Sequence, residues 1–304
     1  MELIPTKCAL CDAFDHYKIL YKSNVDFSDF NAEVFSARRM PDTVHYQVVQ
    51  CQKDGLVRSN PVCDSRKMAV LYQQSRFNYK DETENLTASY MQALAPVLSR
   101  LSRDARILEI GCGNGFVLKA LQDRGYRQVF GVEPSADAVR QADDGIRGRI
   151  AVDILHEGLY SGRPFDLVFF FQTLDHIPDP AAFLKICHDV LLPGGYILAF
   201  NHNVESLSAR MLGEKSPIID VEHTYLFGPK TIAALFCAQG FIPERIYSPG
   251  NIISLRHLLR LMPFIPGTWK RRLLGTSQKM LVALLNGRVR LQLGNLCIVA
   301  RKPE

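Results

Sequence analysis

No hydrophobic run in this sequence approaches the roughly 20 residues that a bilayer-spanning helix requires. The longest, such as Phe165–Phe171, are short and broken by polar residues, so a membrane-spanning segment is not expected. A basic start followed by an apolar signal core is also missing, since Met1-Glu2-Leu3-Ile4-Pro5 leads almost at once into Cys8-Ala-Leu-Cys11. The expected location is therefore cytoplasmic. No internal repeat or low-complexity tract is found, which argues against a solenoid and against a disordered chain. Acidic residues are scarce at one end: residues 251–304 hold ten Lys/Arg and one acid, Glu304, leaving 26 basic and 30 acidic side chains before them. A mildly acidic core with a basic tail follows.

What is present has the balance of a globular protein. The 304 residues are 47% hydrophobic and 22% charged, enough for one large α/β core and an appendage. Of eight cysteines, Cys112, Cys187, Cys237 and Cys297 sit inside apolar patterns where a small buried thiol fits. Cys8, Cys11, Cys51 and Cys63 are grouped in a polar, loop-rich stretch. The expected organisation is a small metal-type module over 1–63 with a short strand near Tyr46–Gln50, a core over 64–250, and a basic amphipathic segment with a closing strand over 251–304.

Apolar residues at Leu86, Tyr90, Leu94, Val97, Leu98 and Leu101 repeat at helical spacing and predict an amphipathic helix covering one face of a sheet. Beyond Arg106, short apolar runs alternate with helical segments, the pattern of a parallel sheet with crossover helices. Strands are predicted at Ile107–Ile110, Val129–Val132, Ile150–Val152, Leu167–Phe171 and Tyr196–Phe200, then at Phe241–Tyr247 and Asn295–Ala300. Helices are predicted at Gly115–Gln122, Ala136–Ala142, Ala181–Leu191 and Lys230–Gln239. Asp179 as N-cap with Pro180 in the first turn opens the third of these, and Leu192-Pro193-Gly194-Gly195 stops it.

The first strand runs into Gly111-Cys112-Gly113-Asn114-Gly115. Glycine permits the tight strand-to-helix turn and lets backbone amides approach a ligand. Eighteen residues past Gly115, Glu133 ends the second strand, where a carboxylate can accept both hydroxyls of a ribose. Dinucleotide-binding loops use the same physics with G-x-G-x-x-G, but here the glycines run G-x-G-x-G. Glu109 just before the loop would repel a diphosphate and suits a ligand carrying an ammonium and a sulfonium.

Leu108-Glu109-Ile110-Gly111-Cys112-Gly113-Asn114-Gly115, Gly131-Val132-Glu133-Pro134-Ser135, Phe165-Asp166-Leu167-Val168, Leu174-Asp175-His176-Ile177 and Leu191-Leu192-Pro193-Gly194-Gly195 together resemble the successive motifs of class I S-adenosylmethionine-dependent methyltransferases, over about residues 86–250. The chain is similar in particular to the subgroup that methylates small molecules and glycans, including its late segment Glu222-His223-Thr224-Tyr225-Leu226-Phe227. The resemblance implies a Rossmann-like α/β fold with a mainly parallel seven-stranded sheet and helices on both faces. It implies that Gly111, Cys112 and Gly113 line the methionine part of S-adenosylmethionine, that Glu133 holds the ribose, that Asp153 and Ile154 flank the adenine and that Gln172 faces the reactive methyl, with Glu109, Asn114, Gly115 and Pro134 also in the cofactor site. Where many relatives have Glu-His-Ile, this chain has the shorter Asp175 before His176.

A sulfonium is already an activated methyl donor, so the protein has mainly to align an acceptor and exclude water. For a hydroxyl or amine acceptor a general base would help. His176, His202 and His223 all fall near the expected active edge, with His176 preferred, and Tyr79 and Tyr225 are candidates for shaping the acceptor pocket. The competing reading for each is a packed side chain.

Cys8-Ala-Leu-Cys11 and Cys51-Gln-Lys-Asp54-Gly55-Leu56-Val57 resemble the N-terminal zinc ribbons of several methyltransferases, with Asp54 where the fourth cysteine would stand and Cys63 as a spare. The resemblance implies a structural zinc on Cys8, Cys11, Cys51 and Asp54, the alternative being a decayed site held by packing. The basic amphipathic stretch over 252–272 offers peripheral contact with an anionic membrane or substrate, or a helix packed on the core. Aromatics do not interleave with its charges, so nucleic acid gains little support. The expected function is methylation of O or N on a small molecule, a sugar or lipid-linked intermediate being the favoured class. The alternatives are an RNA methyltransferase and a non-catalytic S-adenosylmethionine-binding subunit.

Overall fold

The computed structural model describes residues 3–26, 43–64, 83–262, 285–292 and 294–304, together with Trp269 and Leu274. Tyr79 and the Lys270-Arg271-Arg272 cluster lie outside the described residues. The apolar runs become the seven strands of one sheet: β1 (Arg106–Ile110), β2 (Gln128–Val132), β3 (Ile150–Ala151), β4 (Phe165–Phe171), β5 (Leu191–His202), β6 (Ile242–Tyr247) and β7 (Asn295–Arg301). Their spatial order is β6-β7-β5-β4-β1-β2-β3. Strands β1 to β5 are parallel to one another, and β7 runs antiparallel to both β5 and β6.

Alternation along the strands splits the core into two layers. Ile107, Leu167, Phe169 and Phe171 face helices α1 (Thr83–Leu98) and α2 (Phe116–Asp123), with Tyr90 of α1 stacked on Phe171 at a ring separation of 3.9 Å. Leu108, Ile110, Val168 and Phe170 face the other side, where α5 (Pro180–Asp189) and α7 (Pro229–Ala238) pack; the short helices α3 (Ala136–Arg140) and α4 (Asp144–Arg147) place Val139 and Ile146 in the first layer, and α6 (Leu207–Leu212) packs Ala209 with Val48 and Val57. Because both faces are covered, β4 is buried at every position except Asp166, whose carboxylate accepts the Arg106 N–H at 2.8 Å.

The expected caps are present at α5: Asp179 Oδ1 accepts the Ala182 N–H at 3.0 Å and Pro180 occupies the first turn. The Pro193-Gly194-Gly195 stop differs from expectation, since β5 starts at Leu191 and runs through it. A register shift between Leu191 and Tyr196 absorbs the proline, which has no N–H to give the ladder. A Cβ on Gly195 would come within 2.8 Å of the Leu192 carbonyl oxygen.

The N-terminal segment shares a sheet with the core. Tyr17–Tyr21, Val48–Cys51 and Val57–Ser59 form an antiparallel sheet whose fourth strand, Tyr225–Leu226, comes from the core. The Ser59 hydroxyl donates to the His223 carbonyl at 2.9 Å and the Tyr225 hydroxyl to that of Lys7 at 2.8 Å. The amphipathic stretch after 251 splits into a strand, Asn251–Ser254, paired with Arg288–Leu291, and α8 (Leu255–Leu261). It packs on α1, where the Ile252 N–H donates to Ser89 Oγ at 2.8 Å. No described helix is long and apolar enough to cross a membrane.

Candidate functional site

The chain leaves β1 for β2 and β3 on one side and returns to β4 on the other, opening a crevice at the carboxyl ends of β1 and β4, where ligands bind in sheets of this kind. Gly111 and Gly115 there both have φ of 70°. A Cβ on Gly111 would meet Thr173 Oγ1 at 2.7 Å, and one on Gly115 would meet Ile146 Cδ1 at 2.5 Å. The turn is held by the Gly111 N–H on the Val132 carbonyl at 2.8 Å and the Gly115 N–H on that of Cys112 at 2.9 Å.

Glu133 locks the loop to the end of β2: Oε2 accepts the Gly113 N–H at 2.8 Å and Oε1 accepts the Ser135 N–H at 2.9 Å. Each oxygen keeps a lone pair for a further donor. Burial raises its pKa, and these two bonds pull the other way. Glu109 is fully buried and its Oε2 has no partner. Burial, and then the nearby charge of Glu133, push its pKa well above the carboxylate range. Such a group is out of balance until a cation joins it.

Glu109, Gly111, Cys112, Gly113, Glu133, Pro134, Asp153, Ile154 and Gln172 all line one cavity of about 1520 Å³. Asn114 and Gly115 are not on its wall; Gly115 shapes the turn behind it, and Asn114 Oδ1 is buried without a partner. Of the loop, Gly111 to Gly113 face the cavity.

At the other end of the cavity, Gln172 follows β4 with a φ of 52°, its N–H donating to the Phe200 carbonyl at 2.7 Å. Its Nε2 donates to Asn295 Oδ1 at 3.4 Å while Oε1 is buried and unpartnered. Beside it, three histidines surround Asp175. His202 Nδ1 lies 2.7 Å from Asp175 Oδ2, His223 Nε2 lies 3.8 Å from the same oxygen, and His176 Nε2 lies 3.9 Å from Oδ1. Burial raises the Asp175 pKa, yet the charges of His176, His202 and His223 and the His202 hydrogen bond outweigh it, holding the carboxyl well below its ordinary range. The sequence points to His176, whereas the hydrogen bond to the carboxylate belongs to His202. The available signal was the position of His202 at the end of a strand next to the one that delivers Gln172.

The third cluster lies in the N-terminal segment. Ligand atoms of Cys8, Cys11, Cys51 and Asp54 fall within 4.8 Å of one another. The Cys8 thiol donates to Asp54 Oδ2 at 3.2 Å, that of Cys51 to the same oxygen at 3.2 Å, and Cys11 Sγ lies 3.6 Å from Cys51 Sγ. Burial pushes the Cys8 thiol up; at Asp54 burial is outweighed by the Leu56 N–H and the thiols, which lower its pKa. Cys63 is elsewhere, packed with Tyr46 and Val221.

A family model for a methyltransferase domain matches residues 83–244. Among curated proteins, the chain is 31% identical over 129 residues to the ubiquinone biosynthesis O-methyltransferase of Ralstonia nicotianae, covering 40% of this chain and 52% of that one. It is 34% identical over 133 residues to that of Idiomarina loihiensis, covering 41% and 51%. The chain thus matches about half the length of these relatives. Two solved structures share the fold: a methyltransferase in complex with the Haloferax volcanii Trm112 methyltransferase activator (TM-score 0.52, 19% identity, 73% of this chain and 92% of that one), and one from Bacillus halodurans C-125 (TM-score 0.50, 17% identity, 72% and 99%). With the glycine loop, the acid after β2 and the strand order in agreement with this match, the chain belongs to the methyltransferase-domain family and has its class I, Rossmann-like fold.

Proposed function

We propose that this protein transfers a methyl group from S-adenosylmethionine to an oxygen or nitrogen of a small-molecule acceptor, a sugar or a lipid-linked intermediate being the favoured class. The observation that carries this reading is the pair of acids on one cavity wall: Glu133, with lone pairs to spare beside the loop, and Glu109, buried with an orphan oxygen. The pair fits a ligand offering a ribose diol and an ammonium, and would repel a diphosphate. When bound, that group supplies a methyl already activated on a positive sulfur. Glu133 accepts the ribose hydroxyls and Glu109 faces the ammonium. Asp153 and Ile154 flank the base, and Gln172 presents an unpartnered oxygen toward the transfer end.

The residue types suit alignment and water exclusion more than covalent catalysis. Ile252, Ile253, Leu258 and Met262 line the same cavity as the loop, which supports an acceptor contact over a membrane contact for residues 252–262. The relatives named as O-methyltransferases support oxygen as the acceptor atom. Cys8, Cys11, Cys51 and Asp54 are assigned a structural zinc, because four donors converge and two of them are buried. A reducing, cytoplasmic compartment suits these thiols.

The test is acceptor-dependent release of S-adenosylhomocysteine when the protein is incubated with S-adenosylmethionine and panels of catechols, sugar nucleotides and amines. Release with one class and not the others is expected. Binding of the cofactor with no release for any of them would support a non-catalytic subunit instead.

A further inference from the structure

We propose that His202 removes the acceptor's proton, with buried Asp175 as the positioning residue that fixes its ring. This rests on the methyl-transfer reading and names the group that completes it. Three histidines reach the same end of the cavity, and their partners sort them. His223 Nδ1 lies 3.0 Å from the Ile218 carbonyl oxygen, which only accepts, so Nδ1 carries the hydrogen. Burial holds its pKa down to about 4, and a base that weak is a poor proton acceptor. His176 stands 3.9 Å from Asp175, beyond hydrogen-bond reach.

His202 is different. Its Nδ1 is 2.7 Å from a carboxylate oxygen, which accepts, so Nδ1 donates. In the neutral ring the lone pair is then on Nε2, and Nε2 makes no hydrogen bond to any described residue. The ring lines the cavity. It stands at the end of β5, in register with Asn295, the residue that Gln172 Nε2 reaches. Strand β4, carrying Gln172, separates β5 from β1 and its glycine loop. An acceptor lying against Gln172 would therefore have the donor loop on one side and His202 on the other.

In the transfer, a bond forms between the acceptor atom and the methyl carbon. The carbon–sulfur bond breaks with its electron pair going to sulfur, and the acceptor's hydrogen passes as a proton to His202 Nε2. Asp175 Oδ2 stabilises the imidazolium, which returns its proton to solvent across a ring whose side chain is 25% exposed. The charged and titratable groups against His202 are Asp175 from the turn after β4 and His223 before Tyr225–Leu226, with His176 and Asp220 acting on His223.

The test uses the full chain with catechol as probe acceptor. His202→Ala should lower kcat about 10²–10⁴-fold, the range for loss of a general base. S-adenosylhomocysteine affinity should change less than twofold, and the fall in rate toward acid pH should vanish. Added imidazole should restore part of the His202→Ala rate, and Asp175→Asn should lower kcat with KM for the cofactor unchanged. Long-range proton–nitrogen NMR of the histidine-labelled protein should show His202 as the Nδ1–H tautomer in wild type. Three results would overturn the proposal: kcat of His202→Ala within a factor of two of wild type, the Nε2–H tautomer, or activity lost on chelation and restored by a divalent cation. A wild-type protein that binds no S-adenosylhomocysteine would instead sink the methyl-transfer reading, and the tautomer would still decide the Asp175–His202 pairing.

Discussion

Individual side chains here carry costs that only a ligand or a neighbour relieves. Glu109 is a buried acid with an orphan oxygen, and His223 is a buried imidazole kept neutral by burial, with His202 adding to the same effect. The second cost is visible in stability. The folded-state pKa of His223 is about 4, against 6.5 for the free imidazole, so the unfolded chain takes up a proton that the folded one refuses. Its contribution is fully present above the ordinary imidazole value and drains away as pH falls toward the folded value, by roughly 3 kcal/mol in all. Denaturant unfolding at neutral pH and at mildly acid pH should therefore show a larger loss for wild type than for His223→Gln. Equal losses would show that His223 titrates normally. At this scale, Gly111, Gly113 and Glu133 were legible because a short stretch of sequence holds the whole geometry. The Asp175–His202 bond was not, because it joins a turn after β4 to the end of β5, 27 residues on.

Elements were legible wherever period and punctuation agreed. All seven strands of the sheet lie where apolar runs placed them, and Asp179-Pro180 opens α5 as the cap chemistry requires. What the pattern could not convey is partnership. Nothing in Glu222–Phe227 says that Tyr225–Leu226 will complete the sheet of the N-terminal segment, since a two-residue strand has no period to read. Nor does Ile252–Met262 show where strand gives way to helix, because an apolar run suits both until its partner, Arg288–Leu291, is known. The N-terminal sheet carries the metal prediction. Cys51 ends one of its strands and Cys8, Cys11 and Asp54 stand in the loops beside them, so an ion there would tie strand and loops together. Protein purified without chelator should carry close to one equivalent of zinc. Chelation should lower Tm, and Asp54→Cys should resist chelation longer than wild type. Less than half an equivalent, with Tm indifferent to chelator, would contradict the site.

Over the whole molecule, one sheet edge arranges the chemistry in spatial order. Glu133 stands at the end of β2, the glycine loop at β1, Gln172 after β4 and His202 at β5, all opening on one cavity. Residues 4–7, Val62 and Cys63 from the N-terminal segment and Ile252, Ile253 and Leu258 from the segment after 251 line the same cavity. This order follows from the strand reversal beside β1, which any sequence with these alternating runs would produce; the acceptor's identity depends on walls drawn from three separate stretches of chain. Glu133 and the loop are assigned to S-adenosylmethionine, and calorimetric titration with S-adenosylhomocysteine reads that assignment out. Wild type should bind one equivalent, and Glu133→Gln should bind about tenfold or more weaker, the loss expected when a charged hydrogen-bond acceptor is neutralised. No binding to wild type, or equal affinity in the variant, would contradict it.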